Sequence, residues 1–527
     1  MPVGTQARTH PASTPTRLPA DDGVPSCGRP RASHRARKRF HDAAGAETAG
    51  AHRDPPAVRL EIQNAPSVRL PGASLTPPCS RRISGHTMSS DARTDDIRID
   101  PLGPADRALA LATERPRRRL PIAPHAPPGP RGLTLAPEAR EIDRRMRPSY
   151  AVWELTLACD LACRHCGSRA GHARPDELTT AECLDLVRQL AELEVHEVTL
   201  IGGEAYLRAD WLEIVRAIRS AGMQCTMTTA GRGLTRERLL AAKAAGLHAV
   251  SVSIDGDEET HDRLRGVRGS FRSAVEAMQH AREVGLSLSC NTQINRLSMP
   301  HLPAILDLLA KVGARAWQYQ LTVPMGRAAD EPEILVQPYD MLEVLPLLAR
   351  LKPRAREHGI LMWTGNNVGY FGPHEADLRS IGNRTYGGSC GAGIIGIGIE
   401  ADGTVKGCPS LSTKDWAAGS LRDTKLVEIW ERAERLHSTR DRTVADLWGF
   451  CATCYYANDC RAGCTWTAEV TFGRPGNNPF CHHRALELRA RGVRERVVRV
   501  EEAPGEPFDK GLFELVVEPW PGLPGSR

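Results

Sequence analysis

Apolar residues recur in short blocks between residues 150 and 323, each followed by a longer stretch with helical spacing. The blocks at 150–158, 196–201, 223–229, 248–254, 287–294 and 315–323 read as strands, and stretches such as Thr180–Leu193 and Phe271–Val284 read as helices. Six such units in succession predict an α/β fold, a parallel sheet with helices outside it. Chemistry in sheets of this kind gathers at the C-terminal ends of the strands. Residues 330–385 read as a bridging segment: a helix over Pro338–His358, a short strand near Ile360–Thr364, and the polar, aromatic loop Asn366–Glu375. That loop is either a cover for a substrate or an ordered connector.

Before residue 150 the texture is different. Residues 1–95 are rich in Pro, Arg, Ala and Ser, keep neither a helical nor a strand period, and include the run Arg35-Ala-Arg-Lys-Arg39. They predict a disordered basic leader. A transit peptide, a peptide-binding arm, or translation beginning at Met88 are alternatives. Residues 96–148 read as a connector with helical hints at Ala105–Thr113 and Pro137–Arg145.

Charge separates the same two parts. Of 69 Lys+Arg and 63 Asp+Glu, 14 and 8 fall in residues 1–95, leaving 55 of each sign in the remainder. The basic surplus belongs to the leader, which argues against nucleic acid as a partner of the folded part. No apolar run is long enough to span a bilayer and no secretory h-region opens the chain, so no membrane partner is expected and the expected compartment is the cytoplasm. Fifteen cysteines in such a chain point to metal ligation before disulfides.

The chemistry-bearing cysteines begin directly after the first strand. Cys159, Cys163 and Cys166 are spaced C-x3-C-x2-C. Three thiolates can hold a four-iron cube with one iron left open to an exchangeable ligand. A zinc site or three unrelated buried thiols are the alternatives. After the second strand stands Gly202-Gly203-Glu204, where small residues permit close backbone approach and a carboxylate can accept from an ammonium group. After the fourth comes Ser253-Ile-Asp-Gly256, with Arg265 twelve residues beyond Ser253. Asn291 and Gln293 on the fifth strand are looser candidates. Cys183, Cys225 and Cys290 lack ligand spacing and read as core, and Cys27 and Cys79 carry no assigned role.

The triplet, with Gly202-Gly203-Glu204 and Ser253…Arg265, resembles the radical S-adenosylmethionine (SAM) enzymes, whose fold is a partial (β/α)6 barrel. The resemblance implies a [4Fe-4S] cluster on Cys159, Cys163 and Cys166 with SAM chelating its open iron. It also implies SAM contacts from Gly202, Gly203, Glu204, Ser253 and Arg265, and places His165 near the adenine. Ala205 departs from the proline usual after the Gly-Gly-Glu motif.

A second cysteine set follows: Cys390, Gly403-x4-Cys408, Cys451-x2-Cys454-x5-Cys460-x3-Cys464 and Cys481. Its spacing resembles the cysteine-rich SPASM extension of radical SAM enzymes. By that resemblance Cys451, Cys454, Cys460 and Cys481 hold a distal auxiliary iron–sulfur cluster, and Cys390, Cys408 and Cys464 a proximal one; an eighth cysteine found shortly before Cys390 in some relatives is missing. The expected organisation is leader 1–95, connector 96–148, radical SAM core 149–329, bridging segment 330–385, SPASM domain 386–485 and C-terminal tail 486–527.

Family resemblance makes the expected activity oxidative modification, such as cross-linking, of a side chain in a ribosomally made peptide or a protein. The expected partners are that substrate, an electron donor such as flavodoxin or ferredoxin, and a separate leader-peptide-binding protein. Pro409 stands where sulfatase-maturing relatives carry an aspartate base, which disfavours that activity. A tetrapyrrole-modifying enzyme is the alternative, and a non-catalytic iron–sulfur carrier or scaffold is one of another class. Glu375, His374 and Tyr206 are candidate bases by residue type only.

Overall fold

The computed structural model describes residues 135–379 and 390–521. The leader, the Ala105–Thr113 hint, Met88, Cys27, Cys79 and the stretch just before Cys390 lie outside the described residues. All six predicted strands are present: β1 (Tyr150–Glu154), β2 (Glu197–Ile201), β3 (Gln224–Thr229), β4 (Ala249–Ser253), β5 (Ser287–Ile294) and β6 (Ala316–Leu321), paired in parallel in chain order. Between them run α1 (Thr180–Glu192), α2 (Trp211–Ser220), α3 (Arg236–Ala245), α4 (Glu258–Arg265), α5 (Ser270–Glu283) and α6 (Leu302–Val312). Local signals set their ends. Thr179 and Glu182 form a capping box at the start of α1, and α3, α4 and α6 stop at the left-handed glycines Gly246, Gly266 and Gly313.

The sheet is wider than six strands. After α7 (Met341–Glu357), β7 (Leu361–Thr364) joins β6 in parallel, so the strand expected in the bridging segment extends the sheet. At the opposite edge β8 (Gly396–Ile399), from the cysteine-rich part, pairs in parallel with β1. Strands β9 (Thr404–Lys406) and β10 (Gly419–Ser420) then add in antiparallel. Ten strands form one continuous sheet.

Strand alternation sorts the two faces. Val198, Leu200, Cys225, Met227, Val250, Val252, Leu288, Cys290, Trp317 and Tyr319 are buried in the hydrophobic core, where Cys183 also lies. The other register carries hydroxyls and amides. Ser253, Asn291, Gln318 and Trp363 stand side by side across β4–β7, and Gln293 faces Gln320. Thr199 and Thr226 share a 2.7 Å hydrogen bond, and Thr226 donates to Glu197 at 3.0 Å. Strands β1 to β7 contain no Lys or Arg.

The tail expected at 486–527 is built. After α8 (His482–Ala490), β11 (Val493–Glu501) and β12 (Leu512–Pro519) form an antiparallel hairpin. The loop between them docks onto distant segments. Asp509 pairs with Arg169 at 2.7 Å and its carbonyl accepts from Gly326 N–H at 2.9 Å; Lys510 pairs with Asp415 at 2.8 Å and with Glu469.

A buried charge network joins β1 to β8 and β9. Arg174 lies 3.5 Å from Glu154 and 2.8 Å from Glu400, which also pairs with Lys406 at 2.6 Å. Burial pushes the Glu154 carboxyl up to about 8, against the pull of Arg174. A raised carboxyl stabilises the fold below its unfolded pKa, and that contribution is lost as pH rises through the folded value. Denaturant unfolding of the metal-free chain should therefore show a loss of stability between pH 5 and pH 8 that Glu154→Gln reduces.

Candidate functional site

The chain from Thr156 to Gly171, directly after β1, carries Cys159, Cys163 and Cys166 and forms no helix or strand of its own. Its neighbours fix its shape. Glu177 accepts from the Thr156 hydroxyl at 3.0 Å and from Leu157 N–H at 2.9 Å. Gly203 and Glu204 donate their N–H groups to the Thr156 and Ala158 carbonyls, both at 2.8 Å. A Cβ on Gly202 would come within 2.2 Å of the Thr156 oxygen, and one on Gly203 within 2.1 Å of the Ala158 oxygen. The two glycines are thus required first by this close approach of backbones. Gly266 and Gly326 repeat the device: a Cβ on either would come within 2.4 and 2.3 Å of the Ala162 and Cys166 oxygens. Arg327 completes the clamp, donating to the Cys163 carbonyl at 3.1 Å.

Two buried acids flank the loop. Glu204 follows β2, is 2 % exposed, and accepts from the Thr229 hydroxyl and from Ala230 N–H at 2.7 Å. Burial pushes its carboxyl up to about 7, with those hydrogen bonds holding it back. Asp255, which reads in the sequence only as part of a turn, is completely buried. It pairs with Arg265 at 2.5 Å, lies 3.3 Å from His165 Nε2, and accepts from Gln293 N–H at 2.8 Å. Burial opposes its ionisation, and Arg265 and His165 more than reverse this, holding the carboxyl below the usual range. Arg265 in turn presents its guanidinium 3.8 Å from Cys163 Sγ. Ser253, at the end of β4, is buried in line with Asn291.

These residues fit a polar, metal-bearing ligand. The three cysteines are free thiols, and burial pushes Cys159 up to about 12 and Cys163 to about 11. Sulfur this reluctant to ionise becomes thiolate when a metal supplies the positive charge. Arg265 Nε and His165 Nδ1 are buried without a hydrogen-bond partner beside the thiols, an arrangement a bound polar group would satisfy. Among the described residues no three Cys, His, Asp or Glu side chains converge as ligands of a single ion would.

The seven later cysteines fall into two groups. Burial pushes Cys464 up to about 12 and Cys408 to about 11; Cys390 adds to both shifts, and Cys408 to that of Cys464. Burial raises the Cys481 thiol, with Cys451, Cys460 and Cys454 adding to it. These four cysteines line one shallow pocket together with Tyr370, Phe371, Phe450, Tyr456 and His483.

Comparison with known proteins agrees with this layout. A family described as the radical SAM superfamily matches residues 153–309, and one described as an iron-sulfur cluster-binding domain, SPASM, matches 390–455. The AdoMet-dependent heme synthase of Oleidesulfovibrio alaskensis is 30 % identical over 357 residues, spanning 63 % of this chain and 87 % of that protein. The chain belongs to the radical SAM superfamily. Mycofactocin maturase MftC of Mycolicibacterium smegmatis is also 30 % identical, over 339 residues, covering 63 % of this chain and 82 % of that protein. Among solved structures, anSMEcpe with bound AdoMet superposes with a TM-score of 0.52 at 15 % identity, over 64 % of this chain and 95 % of that one. Streptococcus suis SuiB bound to S-adenosylmethionine gives 0.50 at 15 % identity, over 64 % and 76 %. As a radical SAM enzyme with a SPASM domain, the protein binds a [4Fe-4S] cluster, SAM and auxiliary iron–sulfur clusters.

The three bases named by residue type are occupied with structure. Tyr206 accepts from Gly233 N–H at 3.0 Å, Glu375 accepts from Phe371 N–H at 2.9 Å and pairs with Arg379, and His374 stacks on His482. In the Asn366–Glu375 loop, Tyr370 and Phe371 pack on the SPASM cysteines, which favours the connector reading. Asp255 is the residue that sequence reasoning missed; the signal for it was its place between Ser253 and Arg265. Asp255→Ala should cost roughly 3–5 kcal/mol in denaturant unfolding by stranding a buried guanidinium. The double change Asp255→Leu with Arg265→Met should recover much of that loss.

Proposed function

We propose that this radical SAM enzyme oxidatively modifies a side chain of a peptide or protein, as a maturase of ribosomally made peptides. The observation that carries this is the sheet's polar register. Asn291, Gln293, Gln318 and Gln320 offer neutral donors and acceptors of the kind that match a peptide backbone, Trp363 adds an exposed apolar surface in line with them, and β1–β7 bring no cation. A tetrapyrrole carries several carboxylates and calls for Lys or Arg. The identity to heme synthases, equal to that with the maturase, supports that second reading.

Cys159, Cys163 and Cys166 would hold the cluster, Glu204 would accept from the SAM amino group, and Arg265 and Ser253 would meet its carboxylate or ribose. His165 would lie against the adenine, and Gly202 and Gly203 would keep the pocket wall thin. When bound and reduced, cluster and SAM supply a 5′-deoxyadenosyl radical that takes a hydrogen atom from the substrate. The two SPASM cysteine groups would hold auxiliary clusters able to accept an electron from the oxidised substrate. Cytoplasmic location, a separate leader-binding protein, and flavodoxin or ferredoxin as donor belong to the same reading.

Reconstituted, reduced protein given SAM should release 5′-deoxyadenosine; none released from a protein with its clusters intact would end the enzyme reading. Co-expression with a short peptide encoded beside it should change that peptide's mass by loss of hydrogen. Modification of an iron-coproporphyrin in its place would establish the tetrapyrrole reading. Cys159→Ala should abolish SAM cleavage and remove roughly four irons, sparing those on the SPASM cysteines; near-complete loss of iron would contradict the assignment of separate sites.

A further inference from the structure

Tyr370 is 1 % exposed and touches both SPASM cysteine groups. Its hydroxyl accepts from Cys464 N–H at 2.9 Å and donates to the Asn366 carbonyl. Its own carbonyl accepts from His483 N–H at 3.1 Å and lies 3.6 Å from Cys481 Sγ. The ring fills the space above Gly463, where an added Cβ would come within 2.3 Å of it. The Arg379 guanidinium stands 5.0 Å from the ring centroid. One side chain therefore meets Cys464 of the proximal group, and the same residue's backbone meets Cys481 of the distal group.

The chemistry of these contacts limits what the phenol can do. Its proton points at a backbone carbonyl, which cannot take it, and a cation over the ring makes loss of an electron from it harder. Tyr370 is thus poorly suited to relay an electron as a tyrosyl radical. What it does control is the Cys464 N–H. Hydrogen bonds to the sulfurs are among the factors that set an iron–sulfur potential, and a donor there favours the reduced, more negative state. Here the N–H of a ligand-type cysteine is engaged by oxygen.

We infer that Tyr370 is a positioning residue that withholds the Cys464 N–H from the sulfurs of the proximal cluster. The proximal potential is thereby kept lower than it would be with that N–H turned to sulfur. This inference rests on the assignment of two auxiliary clusters to the seven SPASM cysteines.

The test uses the full chain in a Cys159→Ala background, so that only auxiliary clusters contribute, with redox titration followed by electron paramagnetic resonance. Two auxiliary clusters by iron and sulfide content must first be present in that background; their absence would sink the underlying assignment. Tyr370→Phe keeps the ring and frees the N–H. The expected result is unchanged iron and a positive shift in the potential of one cluster, with the other unmoved. No shift, an equal shift in both, or a negative shift would overturn the inference. Should Tyr370→Phe lose auxiliary iron, 3-fluorotyrosine at position 370 decides. Its hydroxyl is a weaker acceptor of the same shape, so a smaller positive shift in one cluster supports the inference and unmoved potentials overturn it.

Discussion

The radical SAM site depends on a segment that its neighbours hold in shape by close contact between backbones. Thr156–Gly171 has no helix or strand; a few of its backbone groups pair within the segment, as Cys159 and Leu157 do with Gly171, and neighbours meet others. Gly202, Gly203, Gly266 and Gly326 let those neighbours come closer than any Cβ allows. The cysteines are placed by contact between backbones, so their positions tolerate little change in residues that never touch iron. The motifs around them have this structural duty as well as any chemical one, and Gly202-Gly203-Glu204 serves both within three residues.

Charge is organised around the same segment. Asp255 neutralises Arg265 while leaving part of its guanidinium directed at Cys163, and it lies within reach of His165. A buried pair of this kind contributes little net stability, because desolvation offsets most of the attraction. Its value lies in location: a fixed positive group beside a sulfur, in a place where water would otherwise screen it.

Local spacing was the most readable information in the chain. The six strands and the ten ligand-type cysteines were visible because strand alternation and cysteine spacing are contained within short windows. Cys183, Cys225 and Cys290 were legible as core by the absence of such spacing. What could not be read depends on partners remote in sequence. Asp255 and His165 are ninety residues apart, β8 reaches β1 from beyond the bridging segment, and the Asn366–Glu375 loop is buried by SPASM residues that follow it. The hairpin β11–β12 has a clear alternating pattern, but the docking of its loop follows from no local signal.

That docking has a consequence for the timing of assembly. Arg169, three residues after Cys166, meets its partner Asp509 across 340 residues of chain. At about 5–20 residues per second of synthesis, roughly 17–70 s separate the appearance of the two residues. Through that interval the cysteine segment lacks one of its fastenings, and Lys510 has not yet reached Glu469 on the SPASM side. Until then Arg169 has only its earlier partners, Asp330 and the Gly326 carbonyl, to hold it. The last fastening of the cysteine segment is therefore supplied by the loop between β11 and β12.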